Sequence, residues 1–121
     1  MRAAVTAIFL AGVLASAAIA GEADVAAAQA TRAGNGTFRF EVTVRHGDEG
    51  WDHYADKWDV VAPDGTILAT RVLLHPHENE QPFTRFLGGV AIPDGIDRVT
   101  LRAHDKTHGY GGAELTVELR R

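Results

Sequence analysis

Histidine is the residue type in this chain with the clearest capacity for chemistry, because a neutral imidazole is a common ligand of transition metals. The chain contains six histidines. They form three pairs, and each pair lies within or beside one polar connection: His46 and His53, His75 and His77, His104 and His108. If the fold brings these three connections to one end of the molecule, the histidines form a cluster, and such a cluster indicates a metal site.

The connection around His75 and His77 has the most informative spacing. A residue before proline is held extended and the φ of proline is fixed, so imidazoles on either side of Pro76 can project to one side. Glu78 or Glu80 could add an oxygen ligand or accept the second N–H of an imidazole. The pattern predicts that His75 and His77 share an ion, although a polar loop stiffened by proline has the same sequence.

The first connection places His46 and His53 among carboxylates, of which Asp52 is a candidate supporting group and the others are expected to be mostly solvated. Aromatic residues around His53 could form an apolar wall that stiffens a ligand, or could cap the end of the core. These aromatic residues are Trp51, Tyr54 and Trp58.

The last connection carries His104 and His108, and Asp105 between them could fix the tautomer of either imidazole. Strand parity separates two of the histidines: His46 continues the inward-facing positions of its strand, whereas His104 continues outward-facing ones. These two histidines are therefore not expected to bind the same ion.

Missing residue types limit the chemistry. The chain contains no cysteine, and its one methionine and one serine, Met1 and Ser16, lie in the first twenty residues. Without these residues in the rest of the chain, serine and cysteine nucleophiles, thiolate zinc sites, iron–sulfur clusters and blue-copper sites are excluded. Nitrogen ligands with supporting carboxylates suit Zn²⁺ or Cu²⁺.

The first twenty residues are typical of a signal peptide. A basic start precedes an apolar run, and Ala18-Ile19-Ala20 has the form that signal peptidase recognises, so cleavage is expected after Ala20. We expect a periplasmic or secreted protein with no membrane span after cleavage. Removal of Arg2 would leave 11 basic and 16 acidic residues, a balance that excludes nucleic acid as a partner.

Residues 21–36 are rich in alanine and glycine and are expected to form a flexible leader, and residues 37–121 a single domain. Apolar and polar residues alternate in several later segments, which predicts strands. Strands are expected near 37–45, 57–62, 66–74, 83–92, 98–104 and 114–120. The third is expected in the interior of a sheet or to shift between sheets. Pro-Asp-Gly turns at 63–65 and 93–95 interrupt the pattern.

These strands indicate an all-β antiparallel sandwich of about six to seven strands, and the final hairpin looks like that of an immunoglobulin-like or fibronectin-type-III-like sandwich. If each connection reverses the chain, the three histidine connections share one pole and the two Pro-Asp-Gly turns share the other. The topology therefore predicts a histidine cluster at one pole.

Three strings resemble a group of small exported bacterial proteins: GWDHYADKW at 50–58, LLHPHENEQPFTR at 73–85 and HDKTHGYGG at 104–112. The resemblance covers most of the domain. It implies export and the extent of the domain, and it brings no activity with it.

The predicted function is a periplasmic, non-catalytic domain that binds Zn²⁺ or Cu²⁺. The alternative is a module that binds a protein or a small anion through a pH-sensitive surface of histidines with Arg71, Arg85 and Arg102. A metal-dependent enzyme is a third reading, for which the sequence contains no reaction-specific motif. The candidate metal ligands are His46, His53, His75, His77, His104 and His108, with Asp52, Glu78, Glu80 and Asp105 as supporting groups.

Overall fold

The computed structural model describes residues 21–121, so the predicted signal peptide and its cleavage after Ala20 lie outside the described residues. Over residues 21–121 the chain contains no helix, and therefore none that is long and apolar enough to cross a membrane. It forms seven strands: β1 (Asp24–Arg32), β2 (Phe38–Arg45), β3 (Ala55–Val61), β4 (Ile67–Val72), β5 (Phe83–Val90), β6 (Arg98–Asp105) and β7 (Leu115–Glu118).

The strands form two antiparallel sheets that pack face to face as an open sandwich. One sheet has the order β1-β2-β5 and the other has the order β4-β3-β6-β7. Alternating apolar side chains of β2, such as Phe40 and Val42, face Trp58 of β3 and Leu101 of β6 across a core in which all four are fully buried. The predicted all-β antiparallel class is confirmed, and burial of these side chains provides the main stabilisation.

Residues 21–36 differ from the prediction, because they do not form a flexible leader. Strand β1 occupies residues 24–32 and pairs with β2 along its length, with Ala30 opposite Phe40. Alanine, glutamine and threonine give no strong period-two pattern and alanine has a low strand propensity, so the strand has little sequence signal. Its order comes from hydrogen bonds to β2 and from burial of Ala23 and Val25 near its start.

Strand β4 also differs from the prediction of an interior strand. It pairs only with β3, so it is an edge strand of the four-stranded sheet. Ile67 and Val72 are exposed, although the segment is apolar on both parities. Such a pattern is typical of interior strands, but it does not exclude an edge position where single apolar side chains face solvent.

The alternation of chain direction brings the connections after β2, β4 and β6 into contact at one pole. The Asp48 carboxylate accepts a hydrogen bond from the backbone N–H of His77 at 2.6 Å, and Thr107 Oγ1 donates to the Asp52 carbonyl at 3.3 Å. Each Pro-Asp-Gly turn ends on a glycine with positive φ, at Gly65 and Gly95. The three connections that carry histidines therefore meet at one pole, as the alternating strand direction predicts.

Gly112 lies where the connection after β6 packs against the start of β1, so a substitution there probes this contact. The N–H of Val25 donates to the carbonyl of Ala113 at 2.8 Å, and a Cβ on Gly112 would lie 2.0 Å from the carbonyl oxygen of Ala23. Because the clash is with backbone atoms, which cannot move without disturbing the strand pairing, Gly112→Ala should destabilise the domain by about 2–3 kcal/mol in urea unfolding. Gly34→Ala is the matched control, because nothing lies within 4 Å of its added Cβ. Equal unfolding midpoints for the two variants would contradict this contact.

Candidate metal centre

Two candidate ligands, His46 and Asp105, continue the inward-facing rows of opposite sheets. Phe38, Phe40, Val42 and Val44 of β2 are buried, and His46 continues this row one step past the strand end. In the other sheet, Asp105 continues the buried row of β6 and is 0% exposed. Because both rows face the space between the sheets, the imidazole of His46 and the carboxylate of Asp105 meet at the end of the core.

A tight turn in the connection after β2 adds His53 to this pair. The N–H of Glu49 donates to the His53 carbonyl at 2.7 Å, and the N–H of His53 donates to the Gly50 carbonyl at 3.3 Å. Gly50 has a φ of 89°, a conformation that glycine adopts without strain. The turn folds the connection back on itself and holds the His53 imidazole beside that of His46.

His46, His53 and Asp105 form a group that could hold a metal ion, because one ligand atom from each lies within 4.8 Å of the others. The two Nε2 atoms are 3.2 Å apart, His46 Nε2 is 3.7 Å from Asp105 Oδ2, and His53 Nε2 is 3.6 Å from Asp105 Oδ1. Two ligands held at 2.0–2.2 Å by a tetrahedral ion lie about 3.3–3.6 Å apart. The separation of the two Nε2 atoms is close to that spacing, and each Nε2 is near that distance from a different oxygen of Asp105.

Both imidazoles have their other nitrogen held by a carboxylate. His46 Nδ1 lies 2.5 Å from Asp48 Oδ1, and His53 Nδ1 lies 3.0 Å from Glu49 Oε1. In metal sites a ligating histidine usually donates its second N–H to a carboxylate or carbonyl, which orients the ring and raises its basicity. The arrangement therefore places the Nε2 atoms, rather than the Nδ1 atoms, towards the shared centre.

The Gly21 carbonyl is a further acceptor at the centre, 2.8 Å from His46 Nε2 and 3.4 Å from His53 Nε2. Gly21 has a φ of 101°, and an added Cβ would lie 2.4 Å from Cε1 of His108, so a side chain here would disturb the centre. Nothing in the sequence marks this residue, because the alanine- and glycine-rich segment predicts a leader. Its carbonyl adds a fourth electron-rich group beside two imidazoles and a carboxylate.

The acceptors around His46 favour a positive charge. Burial lowers the pKa of His46, but its hydrogen bonds to Asp48 and the Gly21 carbonyl, and the charges of Asp48 and Asp105, outweigh burial and raise the pKa above 6.5. A proton on Nε2 can then be donated to the Gly21 carbonyl. Either this proton or a metal ion can supply the positive charge that the converging acceptors favour.

Asp48 is a buried carboxylate that joins two of the histidine connections. Its side chain accepts hydrogen bonds from the backbone N–H of Ala55 at 3.1 Å and from that of His77 at 2.6 Å, besides its contact with His46. Burial raises the pKa of Asp48, yet these hydrogen bonds and the charge of His46 lower it below its ordinary value of 3.8. Nothing along the sequence marks Asp48 as buried, so the sequence predicts a mostly solvated acid.

Asp105 carries an unsatisfied buried oxygen. Its Oδ1 accepts hydrogen bonds from the backbone N–H groups of Thr107 at 2.8 Å and His108 at 2.6 Å. Its Oδ2 is buried and has no hydrogen-bond partner. A buried carboxylate oxygen without a partner is unfavourable, and a cation between Asp105 and the two imidazoles would satisfy it.

The other histidines lie outside this group. His108 is at its edge, with Nδ1 3.3 Å from Asp105 Oδ1 and its ring centre 4.9 Å from that of His53. His75 and His77 lie beside each other with ring centres 4.7 Å apart, and His77 is buried against Phe83. Burial, followed by the positive charges of Arg85 and His75, lowers the pKa of His77. His75 and His77 therefore form a pair separate from the group of His46, His53 and Asp105.

His104 belongs to a polar network on the outer face of the four-stranded sheet. Its Nδ1 lies 2.6 Å from Asp56 Oδ1, and its ring packs against that of Tyr110. Tyr110 donates its hydroxyl to the buried Asp59, which also accepts from Thr70 Oγ1 at 2.7 Å and Arg102 Nε at 3.2 Å. The network holds the connection after β6 onto the sheet.

Tyr110 gives this network a measurable dependence on pH. Burial, the hydrogen bond to Asp59 and the charge of Asp59 raise the pKa of Tyr110 to about 12. The stability that the neutral phenol contributes is complete below pH 10, the ordinary value, and is lost as the pH rises through about 12. Tyr110→Phe should cost about 1.5–3 kcal/mol at pH 8 and less at pH 11, as measured by urea unfolding. An equal cost at both pH values would contradict the assignment.

The remaining predicted groups lie outside the group of His46, His53 and Asp105. The supporting acids Asp52, Glu78 and Glu80 are exposed. Two arginines of the alternative anion-binding surface pair with carboxylates: Arg85 Nη2 donates to Glu80 Oε1 at 3.3 Å, and Arg102 Nε donates to Asp59. Arg71 Nη1 donates to the Val72 carbonyl at 2.9 Å, while its buried Nε has no hydrogen-bond partner. Trp58 is a core residue, Tyr54 is buried and Trp51 is 63% exposed, so only part of the expected aromatic wall forms.

Comparison with known proteins gives one informative relative. The chain is 42% identical over 97 residues to a protein of Halomicrobium mukohataei named "Putative lipoprotein". The match covers 80% of this chain and 47% of that protein, so the chain spans about half the length of this relative. No protein-family model matches the chain, and no solved structure matches it. The function must therefore be argued from the geometry of the centre.

Proposed function

We propose that this protein is a metal-binding domain that holds one Zn²⁺ or Cu²⁺ ion through His46 Nε2, His53 Nε2 and the carboxylate of Asp105. The observation that carries the proposal is the convergence of these groups: the Nε2 atoms lie 3.2 Å apart, and each lies 3.6–3.7 Å from a different oxygen of Asp105. Three protein ligands leave the fourth position of a tetrahedral zinc ion for a further ligand.

The surroundings of the three ligands support a metal in preference to an ordinary polar cluster. Both Nδ1 atoms are held by carboxylates, and Asp105 Oδ2 is buried without a partner. A hydrogen-bonded cluster would be expected to satisfy that oxygen internally. His108 stands at the edge of the group, where rotation of its exposed side chain could complete the coordination.

The nature of the ligands supports the choice of metal. Two imidazoles and one carboxylate suit a borderline divalent ion, and the usual order of stability places Cu²⁺ above Zn²⁺ for the same nitrogen and oxygen ligands. A Cu⁺ ion would prefer soft sulfur ligands, and the chain has no cysteine. Copper should therefore bind more tightly than zinc when both ions are free.

We also propose that the domain is exported and has an immunoglobulin-like sandwich fold. The basic and apolar start of the sequence, the Ala18-Ile19-Ala20 string and the lipoprotein name of the relative support an envelope or extracellular location. Sheets of three and four antiparallel strands support the immunoglobulin-like architecture. In this location the domain would bind a metal ion without catalysis.

Calorimetric titration of the purified domain, residues 21–121, with Zn²⁺ and Cu²⁺ tests the proposed function. We expect at least one equivalent of each ion to bind with a dissociation constant well below millimolar, and Cu²⁺ to bind more tightly than Zn²⁺. Mg²⁺ is the control ion, because it prefers oxygen ligands and should give no comparable signal. Binding of Zn²⁺ and Cu²⁺ no tighter than millimolar would overturn the proposal.

A further inference from the structure

We propose that His75 and His77 form a second binding site for Zn²⁺ or Cu²⁺, separate from the centre of His46, His53 and Asp105. The two rings lie side by side with centres 4.7 Å apart and an angle of 37° between their planes. Neither residue belongs to the group of converging ligands at the first centre. The second site would bind an ion with its own ligands and does not require the first centre to be filled.

His77 is buried without a hydrogen bond at either ring nitrogen, and its Nδ1 lies 3.9 Å from Asp48 Oδ2. The residue is 6% exposed, and Nδ1 and Nε2 are both buried with no hydrogen bond. A neutral imidazole has one donor and one acceptor, and leaving either unsatisfied in the interior costs about 1–3 kcal/mol. A ligand that binds an imidazole nitrogen offsets part of this cost, which is why the unsatisfied ring points to a binding site.

The ring of His77 is held firmly in place. It stacks on Phe83 with ring centres 3.9 Å apart and an angle of 11°, and its backbone N–H donates to Asp48 Oδ2 at 2.6 Å. The His77 carbonyl accepts a hydrogen bond from Gln81 Nε2 at 3.0 Å. These contacts fix the residue before any ion arrives, so binding costs little conformational entropy.

His75 provides the mobile partner of this pair. It is exposed, and its Nδ1 lies 3.1 Å from the carbonyl oxygen of Pro76, which leaves Nε2 free to bind an ion. His75 and His77 line a surface depression together with Glu78 and Glu80. Rotation of the exposed His75 ring would open access to His77, and either glutamate could add an oxygen ligand.

Asp48 connects the second site to the first. One of its oxygens contacts Nδ1 of His46 and the other accepts the backbone N–H of His77. The two sites therefore have different metal ligands but share one buried anchor. Loss of ligands at one site should leave ion binding at the other site in place, whereas loss of the anchor should affect both.

The stoichiometry of Cu²⁺ and Zn²⁺ binding tests the second site. We expect wild-type protein to bind two equivalents in calorimetry, and His75→Ala/His77→Ala to bind one, with the affinity of the retained equivalent within about threefold of wild type. His104→Ala is the matched control and should keep two equivalents. His75→Ala alone, at an exposed position, should weaken the second equivalent at least tenfold, and it keeps the test decisive if the double variant does not fold.

Other outcomes separate the two proposals. A single wild-type equivalent that His75→Ala/His77→Ala retains, or a His75→Ala/His77→Ala variant that retains two, would overturn the second site. A single wild-type equivalent that His75→Ala/His77→Ala loses would overturn the first centre instead. His46→Ala/His53→Ala should instead lose the equivalent that His75→Ala/His77→Ala retains. If that variant kept both equivalents, the first centre would be wrong while the second site could still stand.

Discussion

Replacing both His46 and His53 by alanine should abolish ion binding at the first centre. The variant removes two of the three converging ligand atoms, and a lone Asp105 carboxylate cannot hold Zn²⁺ or Cu²⁺ at the affinity of the complete group. Loss of an outer-shell partner alone typically costs 10- to 100-fold in affinity, so loss of two direct ligands should cost more than about 100-fold. Calorimetric titration with Zn²⁺ measures the change.

The same experiment needs a variant that leaves the core intact, because His46 is buried and its imidazole contacts the buried Asp48. His53→Ala serves this purpose, since the side chain of His53 is 19% exposed. We expect it to weaken the first centre at least tenfold with an unchanged circular dichroism spectrum. His104→Ala should bind as wild type does. Equal affinity for the His53→Ala and His104→Ala variants would contradict the assignment.

Replacing Asp48 by alanine should be among the most destabilising single changes at the histidine pole. The variant leaves the backbone N–H groups of Ala55 and His77 without their acceptor and removes the charge beside His46. Removing one partner of a buried ion pair typically costs 3–5 kcal/mol, so we expect a loss of about that size. Urea unfolding at pH 7, where Asp48 is ionised because its pKa is lowered, measures the loss.

Asp52→Ala is the matched control for this prediction, because Asp52 lies in the same connection with an exposed side chain. Its effect on the free energy of unfolding should stay within about 0.5 kcal/mol. Asp48→Ala should also weaken binding at both metal sites. A variant as stable as Asp52→Ala would show that Asp48 does not anchor the pole.

The framework of the fold could be predicted from local patterns. Alternation in β2 and β6 and the two Pro-Asp-Gly turns predict antiparallel strands whose alternate connections share a pole. Strand β1 had no comparable signal, because its alanine-rich sequence is ordered by pairing with β2. The position of β4 at an edge also depends on the whole sheet order, which a single segment does not encode.

The centre could be predicted only in part. The inward parity of His46 is visible in the sequence, and the same parity along β6 marks Asp105, a signal that could have identified it as a ligand rather than a supporting group. Spacing along the chain favours His75 and His77 as a pair, but it carries no information on their distance from the other connections. The Gly21 carbonyl and the buried Asp48 depend on contacts between distant segments.

Anomalous diffraction from crystals soaked in Zn²⁺ tests the first metal centre most directly, because it places the bound ion relative to its ligand atoms. We expect a peak at the zinc edge about 2.0–2.2 Å from His46 Nε2, His53 Nε2 and an oxygen of Asp105. Absence of a peak at this position, in crystals that show zinc bound elsewhere on the protein, would contradict the central claim.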